Sequence, residues 1–188
     1  NFKKIIKLLN KLQSIKDKKV KNFKNKLYKV QVYKKKILLN EAKLFCEWYV
    51  PNKLSKSRSL KFNKKFNIEI KNLLSKLNNQ NNTFVHRDFH ISNLMYHNEK
   101  IGLIDSQDAL IGNKAYDLAS LIDDVRLITS NKLKEKVFRF YIRTNKKIVV
   151  KKFKQDFEIL SVLRNLKIIG IFTRLALRDK KKKYLKLI

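Results

Sequence analysis

Three polar side chains near the middle of the chain have types and spacing that could support chemistry. Asp88 lies in the segment His-Arg-Asp-Phe-His-Ile-Ser-Asn, which ends at Asn93, and a second acid, Asp105, follows twelve residues later. A carboxylate can orient an acceptor hydroxyl and take its proton. Mg²⁺ prefers oxygen ligands, which an amide and a carboxylate both supply. The pattern therefore predicts phosphoryl transfer, with Asp88 as the base and with Asn93 and Asp105 holding the metal.

The histidines in and after this segment allow other interpretations. His86 and His90 are four residues apart, which suits a metal site on a helix. However, the preceding residues 83–85 are strand-like and no third ligand lies nearby in the sequence, so zinc is disfavoured. We expect His86 to pack behind the loop, whereas His90 has either a structural or a substrate-side role. His97 is expected to be an exposed turn residue.

Three segments carry a resemblance to a known family, and they are His-Arg-Asp-Phe-His-Ile-Ser-Asn-Leu-Met at 86–95, Ile-Asp-Ser-Gln-Asp-Ala at 104–109 and Tyr-Asp-Leu-Ala-Ser-Leu at 116–121. Together they resemble the aminoglycoside phosphotransferase/choline kinase superfamily, which has a protein-kinase-like fold. The second His of the loop and the D-x-x-D-A element distinguish that superfamily from protein kinases. Two further stretches, 39–49 and 165–175, are similar to its branch of anomeric N-acetylmuramate/N-acetylglucosamine kinases.

The resemblance implies a role for each residue of the candidate site. Asp88 is implied as the catalytic base, Asn93 and Asp105 as Mg²⁺ ligands, and ATP as the phosphate donor. Supporting roles are implied for five neighbours: His86, Arg87, His90, Asp108 and Asp117.

The supporting roles of three residues stay open between two alternatives each. Arg87 either pairs with a nearby acid or faces the substrate. Asp108 is either an additional acid near the metal or a cap for the loop that leads to Tyr116. Asp117 either holds the catalytic loop or caps the helix that follows.

The chain departs from the family pattern in two respects. Ser106 stands where this branch usually has an aromatic residue. The sequence also contains neither a Gly-rich phosphate loop nor a strand Lys that would pair with a helix Glu, so no complete nucleotide-binding set is predicted. We therefore expect that an N-terminal nucleotide lobe and the extreme C-terminus are missing, and that residues 1–188 alone are inactive.

The hydrophobic periodicity indicates the elements that must position these residues. Helices are predicted over 1–15, 37–49, 66–77, 116–128, 132–144 and 151–178, and residues 16–36 are expected to be irregular. Short strands are predicted at 83–85, 93–96 and 101–104, the last two joined by a turn at 97–100.

These elements predict an α+β, mostly helical fold with a small central β-hairpin, which is the C-terminal catalytic lobe of the protein-kinase-like fold. The whole of 1–188 is predicted as one lobe. Its parts are a helical part at 1–82, catalytic and metal-binding loops with short strands at 83–115, and a second helical part at 116–188.

The net charge of +31 suggests an affinity for polyanions, but the composition favours another origin. Of the basic residues, 38 are Lys and 8 are Arg, although Arg reads phosphates better. Lys, Asn and Ile share A/T-rich codons, and Asn and Ile occur 19 times each. We interpret the charge as compositional drift and predict no specific nucleic-acid partner.

The remaining composition indicates the compartment. A single cysteine, Cys46, excludes an internal disulfide framework and is typical of a reducing environment. The most apolar stretch is interrupted by Arg164 and Lys167, so neither a membrane span nor a membrane partner is predicted. We expect a cytoplasmic protein, and the oligomeric state stays open.

The sequence therefore predicts an ATP-dependent phosphotransferase that acts on a hydroxyl of an amino sugar, in the recycling of cell-wall sugars. Two rival hypotheses remain. The same fold could act on another alcohol, such as an aminoglycoside, choline or homoserine. Alternatively, the chain is an inactive, basic nucleic-acid-binding module.

Overall fold

A computed structural model describes residues 2–21, 23–78 and 80–188. The helices are α1 (Phe2–Gln13), α2 (Lys35–Leu44), α3 (Lys56–Ser75), α4 (Ala115–Ile122), α5 (Asn131–Arg143) and α6 (Val150–Leu177). The strands are β1 (Lys19–Lys21), β2 (Leu27–Lys29), β3 (Thr83–Val85), β4 (Leu94–His97), β5 (Lys100–Leu103) and β6 (Leu110–Gly112). The strands form three small antiparallel pairs, which confirms the predicted α+β, mostly helical fold class.

The chain divides into two compact units. The first unit comprises residues 1–33 and 78–157, and the second comprises 34–77 and 158–188. The longest helix, α6, has its first residues in one unit and continues in the other from Glu158. Neither α6 nor any other helix in the described ranges is long and apolar enough to cross a membrane.

In the first unit, the pair β3–β6 leads into the candidate site. Phe84 pairs with Ile111, and the amide of Ile111 also bonds to the carbonyl of Gln31 at 2.8 Å, so a third segment lies along β6. Gly112 makes this close packing possible. A Cβ there would lie 3.0 Å from Val85 and 3.3 Å from Tyr33, which is tighter than most side-chain contacts.

Helices α1 and α5 of the first unit pack through aromatic and aliphatic side chains. Phe2 meets Phe140 edge to face, with ring centroids 5.7 Å apart. Tyr141 is completely buried, and its hydroxyl donates to Gln13 Oε1 at 2.6 Å. Burial raises the pKa of Tyr141, helped by the negative charge of Asp117 and opposed by the bond to Gln13.

The second unit is built from helices in close contact. Helix α2 runs into a π-helical turn at Phe45–Tyr49 and a 3₁₀ turn at Val50–Asn52. Gly170 of α6 approaches this junction so closely that a Cβ would lie 2.5 Å from the Leu44 carbonyl oxygen. The ring of Phe45 stacks on Phe66 of α3 at 5.9 Å. Small and flat side chains therefore set the helix spacing.

The predicted elements are largely confirmed. Helix α3 begins at Lys56, ten residues before the helix predicted over 66–77, and three further corrections are needed. Residues 16–36 are not wholly irregular, because β1 and β2 pair there with Val20 opposite Tyr28. These strands are three residues long and exposed at every position, so they leave no hydrophobic alternation to detect. Strand β6 was not predicted, for the same reason of length.

The third correction concerns the helix predicted over 116–128. Helix α4 ends at Ile122, and Asp123 and Asp124 follow it. Asp has a low helix propensity because its short side chain bonds to nearby backbone groups in non-helical conformations, and Asp124 here accepts the amide of Arg126. Asp124 instead has partners outside α4, as described below.

Candidate active site

The loop between β3 and β4 presents Asp88 between two buried anchors. The side chains of His86 and Phe89 are both fully buried, and their rings meet edge to face at 6.4 Å. Asp88 itself is only partly buried. Its carbonyl oxygen accepts bonds from the amide of His90 and from Asn93 Nδ2, both at 3.0 Å. These bonds fix the loop backbone at the predicted base.

Asp117, in the first turn of α4, holds the loop on the side that precedes Asp88. Its carboxylate accepts the amide of His86 at 2.8 Å and the amide of Arg87 at 3.0 Å, and its side chain is fully buried. Arg87 has a φ of 74°, an uncommon conformation for a residue with a side chain. Of the two alternatives for Asp117, the contacts are those of a residue that holds the catalytic loop.

Arg87 has its side chain against another part of the first unit. The guanidinium carbon lies 5.2 Å from the ring centroid of Tyr33, and Nη1 donates to the carbonyl of Asp108 at 3.3 Å. The Tyr33 hydroxyl in turn donates to that of Tyr116 at 3.1 Å. These contacts join the start of the catalytic loop to the segment that carries Asp108. Asp108 itself is exposed.

Asn93 and Asp105 lie at the same end of the β4–β5 hairpin. Leu94 pairs with Leu103, and the amide of Ile104 donates to the Asn93 carbonyl at 3.1 Å. The backbone of Asn93 is thus bonded to that of Ile104, and Asp105 is the next residue. Asp105 is exposed, has a φ of 69°, and accepts a bond from Gln107 Nε2 at 2.7 Å.

The two side chains fit the donor set that Mg²⁺ uses. The amide nitrogen of Asn93 is committed to Asp88, which leaves its amide oxygen as the group that suits a cation. Asp105 adds a carboxylate at the surface. Mg²⁺ is usually held by one or two protein oxygens together with substrate phosphates, and this arrangement matches that pattern.

The part of the chain that the structure describes has no metal-site geometry around the three histidines. Among residues 2–21, 23–78 and 80–188, no group of three His, Cys, Asp or Glu side chains is placed to hold a metal ion. Burial lowers the pKa of His86, opposed mainly by the negative charge of Asp88. His90 is 7% exposed, and His97 is exposed at the end of β4.

One residue at the site escaped the sequence analysis. Asp124 is buried, and its Oδ2 accepts the amide of Ile91, three residues beyond Asp88, at 3.2 Å. Its Oδ1 accepts the amide and Nη1 of Arg126, both at 3.1 Å. The available signal was its spacing of seven residues from Asp117, which is about two helical turns.

Comparisons with known proteins identify the family of this chain. Residues 2–148 match the model of the phosphotransferase enzyme family. The chain is 34% identical over 158 residues to an N-acetylmuramate/N-acetylglucosamine kinase of Neisseria meningitidis, covering 81% of this chain and 47% of that protein. The protein of the same name from Pseudomonas aeruginosa is 30% identical over 159 residues, with the same coverage.

A third relative of that name, from Caulobacter vibrioides, is 32% identical over 106 residues, or 54% of this chain and 29% of that protein. The chain thus spans about half the length of the Neisseria and Pseudomonas relatives. The family match extends over well more than half of the chain, from α1 to the end of α5, and includes the whole candidate site. The chain therefore belongs to the phosphotransferase enzyme family.

Proposed function

We propose that the polypeptide containing this chain is an ATP-dependent kinase that transfers the γ-phosphate to a hydroxyl of an amino sugar. The observation that carries the proposal is the loop geometry. Asp88 is held on a fixed backbone, and two residues with oxygen-bearing side chains, Asn93 and Asp105, lie at the same end of the adjacent hairpin. Family membership and the names of the relatives support the same conclusion.

In this proposal Asp88 receives the acceptor hydroxyl. Its carboxylate is partly accessible, whereas its backbone is held by His90 and Asn93. A base with a fixed backbone can align the hydroxyl oxygen with the phosphate and accept the proton as the new bond forms. Positioning of this kind supplies much of the rate in phosphoryl transfer, because the protein itself forms no covalent bond.

Asn93 and Asp105 would hold Mg²⁺ together with the nucleotide phosphates. When bound, the metal neutralises the negative charge that develops on the phosphoryl group. The bond from Asn93 to Asp88 links the metal side of the site to the base, so the two remain in register. His86, Arg87, His90, Asp108 and Asp117 are proposed to support this loop, Asp117 through its bonds to two loop amides.

The nucleotide would need further contacts. We propose that this chain is the C-terminal catalytic lobe and that a nucleotide lobe corresponds to part of the relatives' length outside the match. The amino-sugar acceptor, N-acetylglucosamine or N-acetylmuramate, follows the names of those relatives. A role in the recycling of cell-wall sugars, in the cytoplasm, would follow from these acceptors.

The test uses the natural polypeptide that contains residues 1–188, at its full length. Turnover is measured as ADP release and by ³¹P NMR of the product, with ATP, Mg²⁺ and each acceptor in turn. The expected acceptors are N-acetylglucosamine and N-acetylmuramate, and the comparison acceptors are choline, homoserine and an aminoglycoside. A higher kcat/KM for one of the comparison acceptors would overturn the amino-sugar assignment.

A metal titration tests the proposed ligands separately. Asp105→Asn should move the Mg²⁺ dependence to higher concentration, because an amide is a weaker ligand than a carboxylate. Asp179→Asn, in an exposed ion pair with Arg178, is the control and should leave the titration unchanged. An unchanged titration for Asp105→Asn would remove Asp105 from the metal site.

A further inference from the structure

The backbone of the catalytic loop is held on both sides of Asp88 by buried carboxylates from the α4 region. Asp117 accepts the amides of His86 and Arg87, which precede Asp88. Asp124 accepts the amide of Ile91, which follows it. We propose that Asp124 is a positioning residue for phosphoryl transfer, which holds the acceptor-side half of the loop through Ile91. The proposal rests on the kinase function proposed above.

The position of Ile91 explains why this bond matters. Ile91 begins a 3₁₀ turn, Ile91–Asn93, and His90 before it provides no side-chain cap. The first amides of such a turn have no partner within the turn itself. Asp124 supplies that acceptor from a different element of the same unit.

Two further hydrogen bonds connect the turn that begins at Ile91 to Asp88. The 3₁₀ turn ends at Asn93, whose Nδ2 donates to the Asp88 carbonyl at 3.0 Å. The amide of Asn93 donates to the His90 carbonyl, also at 3.0 Å. A shift of Ile91 would therefore move the proposed metal ligand and the proposed base together.

Three hydrogen-bond donors surround the buried carboxylate of Asp124. Its side chain is 2% exposed, and an unpaired buried carboxylate would be strongly unfavourable. Nη1 of Arg126 compensates the charge at 3.1 Å, and two backbone amides complete the set of donors. A carboxylate with three donors on two oxygens is more rigid than one with a single ion pair.

The neighbouring acid provides a matched comparison. Asp123 pairs with Lys134 Nζ at 2.9 Å, and its side chain is 23% exposed. It precedes Asp124 directly in the sequence, and its ion-pair partner Lys134 lies in α5. Asp123→Asn thus removes the same charge at nearly the same place and leaves the bond to Ile91 intact.

The experiment compares Asp124→Asn, Asp124→Glu and Asp123→Asn in the full-length natural polypeptide. For Asp124→Asn we expect kcat to fall about 10- to 100-fold, as for a small misplacement of a reacting group. The KM values for nucleotide and acceptor should stay within about threefold, because Asp124 contacts neither in this proposal. Asp123→Asn should keep kcat, and Asp124→Glu should recover part of it.

Amide hydrogen exchange gives a readout that does not depend on activity. Peptides covering 86–93 should exchange about tenfold faster in Asp124→Asn than in Asp123→Asn, whereas peptides from α6 should not change. This local loosening separates loop positioning from a general loss of stability.

Three results would overturn the proposal. They are a kcat within twofold of wild type, a raised acceptor KM with kcat preserved, and faster exchange throughout the protein. The amino-sugar assignment can fail independently, since the wild type would then use another acceptor, and the same variants would be compared on that acceptor. If no acceptor is turned over, unchanged exchange at 86–93 overturns the role of Asp124 and faster local exchange supports it.

Discussion

The two compact units of this chain use different means to fix their backbones. In the described residues, all three buried aspartates, Asp117, Asp124 and Asp156, lie in the first unit. Each accepts at least one backbone amide. Asp156, for example, accepts the backbone amide of Asn78 and the side-chain Nδ2 of Asn113, both at 2.7 Å. The second unit relies on aromatic stacking and on the close contact at Gly170.

The difference follows from what each unit has to hold. Helices satisfy most of their own backbone groups, so the second unit is held largely by complementary shapes, with the ion pair of Lys167 and Glu41 in addition. The first unit contains loops whose amides have no regular partners, and Arg87 and Asp105 have positive φ values within them. A buried carboxylate can accept several amides at once and can hold such a backbone in place. Six of the nine aspartates lie between residues 88 and 124.

The largest expected effect is a loss of turnover at Asp88, which is proposed to act in the reaction and not to hold the loop. In the full-length natural polypeptide, Asp88→Asn should lower turnover by about 10²–10⁴, the usual contribution of a positioned base. Its free energy of unfolding should change by less than about 0.5 kcal/mol, because the Asp88 carbonyl and not its carboxylate anchors the loop. Steady-state kinetics and urea unfolding measure the two quantities.

Asp117→Asn is the informative partner variant for that experiment. It should lower both turnover and stability, since its carboxylate carries two backbone bonds in a buried place. If Asp88→Asn kept more than a third of wild-type turnover on the best acceptor, its role as base would be wrong. Equal losses of stability in the two variants would contradict the assignment of loop support to Asp117 and of the base alone to Asp88.

The next effect concerns the packing of the second unit. Gly170→Ala should destabilise the protein by about 3 kcal/mol, because the new methyl group would meet the backbone at Leu44 and Phe45. Gly102→Ala in β5 is the matched control, since a Cβ there would meet only the Met95 carbonyl at 3.9 Å. Urea unfolding compares the two, and equal stabilities would show that the helices can separate at little cost.

A smaller effect concerns Cys46 in the same unit, whose burial should slow its reaction with a thiol reagent. Burial raises the pKa of the Cys46 thiol to about 11, with a further contribution from Glu47. A raised pKa leaves less thiolate at a given pH, so at pH 8 iodoacetamide should react about 100-fold more slowly than with the urea-unfolded chain. Mass spectrometry follows the reaction. A similar rate in both states would mean that this packing opens readily.

Much of the candidate site could be predicted from the sequence, because its chemistry depends on local spacing. The segment 86–93 and Asp105 were placed on a strand–loop–hairpin, and the structure has β3, the loop and the β4–β5 hairpin at those residues. The long helices are predicted where their hydrophobic residues repeat over several turns, whereas the first ten residues of α3, 56–65, fall outside the predicted helix.

The contacts that hold the loop could not be predicted in the same way. Asp124 lies 33 residues from its partner Ile91, and nothing in the local pattern relates the two. Strand β6 and the β1–β2 pair are three residues long, too short for a period to be seen. Gly170 gave no turn signal, because its role is to admit a neighbouring helix backbone rather than to change its own conformation.

The smallest expected effect concerns the charge, which both units share. Lysines lie over aromatic rings in several places: Lys3, Lys4, Lys114 and Lys136 in the first unit, and Lys53 and Lys183 in the second. The spread is what compositional drift predicts. A local concentration does occur in the first unit, where Arg143, Lys146 and Lys147 line an open cavity of about 940 Å³.

RNA should therefore bind weakly, without sequence preference, and with an affinity that falls steeply as salt rises. Saturating natural RNA at physiological salt should leave turnover on the amino sugar nearly unchanged. Replacing Lys146 and Lys147 by Glu should weaken the RNA complex no more than the same change at Lys180 and Lys181. If the charge arose by compositional drift, the cavity is not a selected RNA site. A sub-micromolar, sequence-selective complex at about 0.15 M salt that is lost only in the cavity variant would establish a selected polyanion site in the first unit.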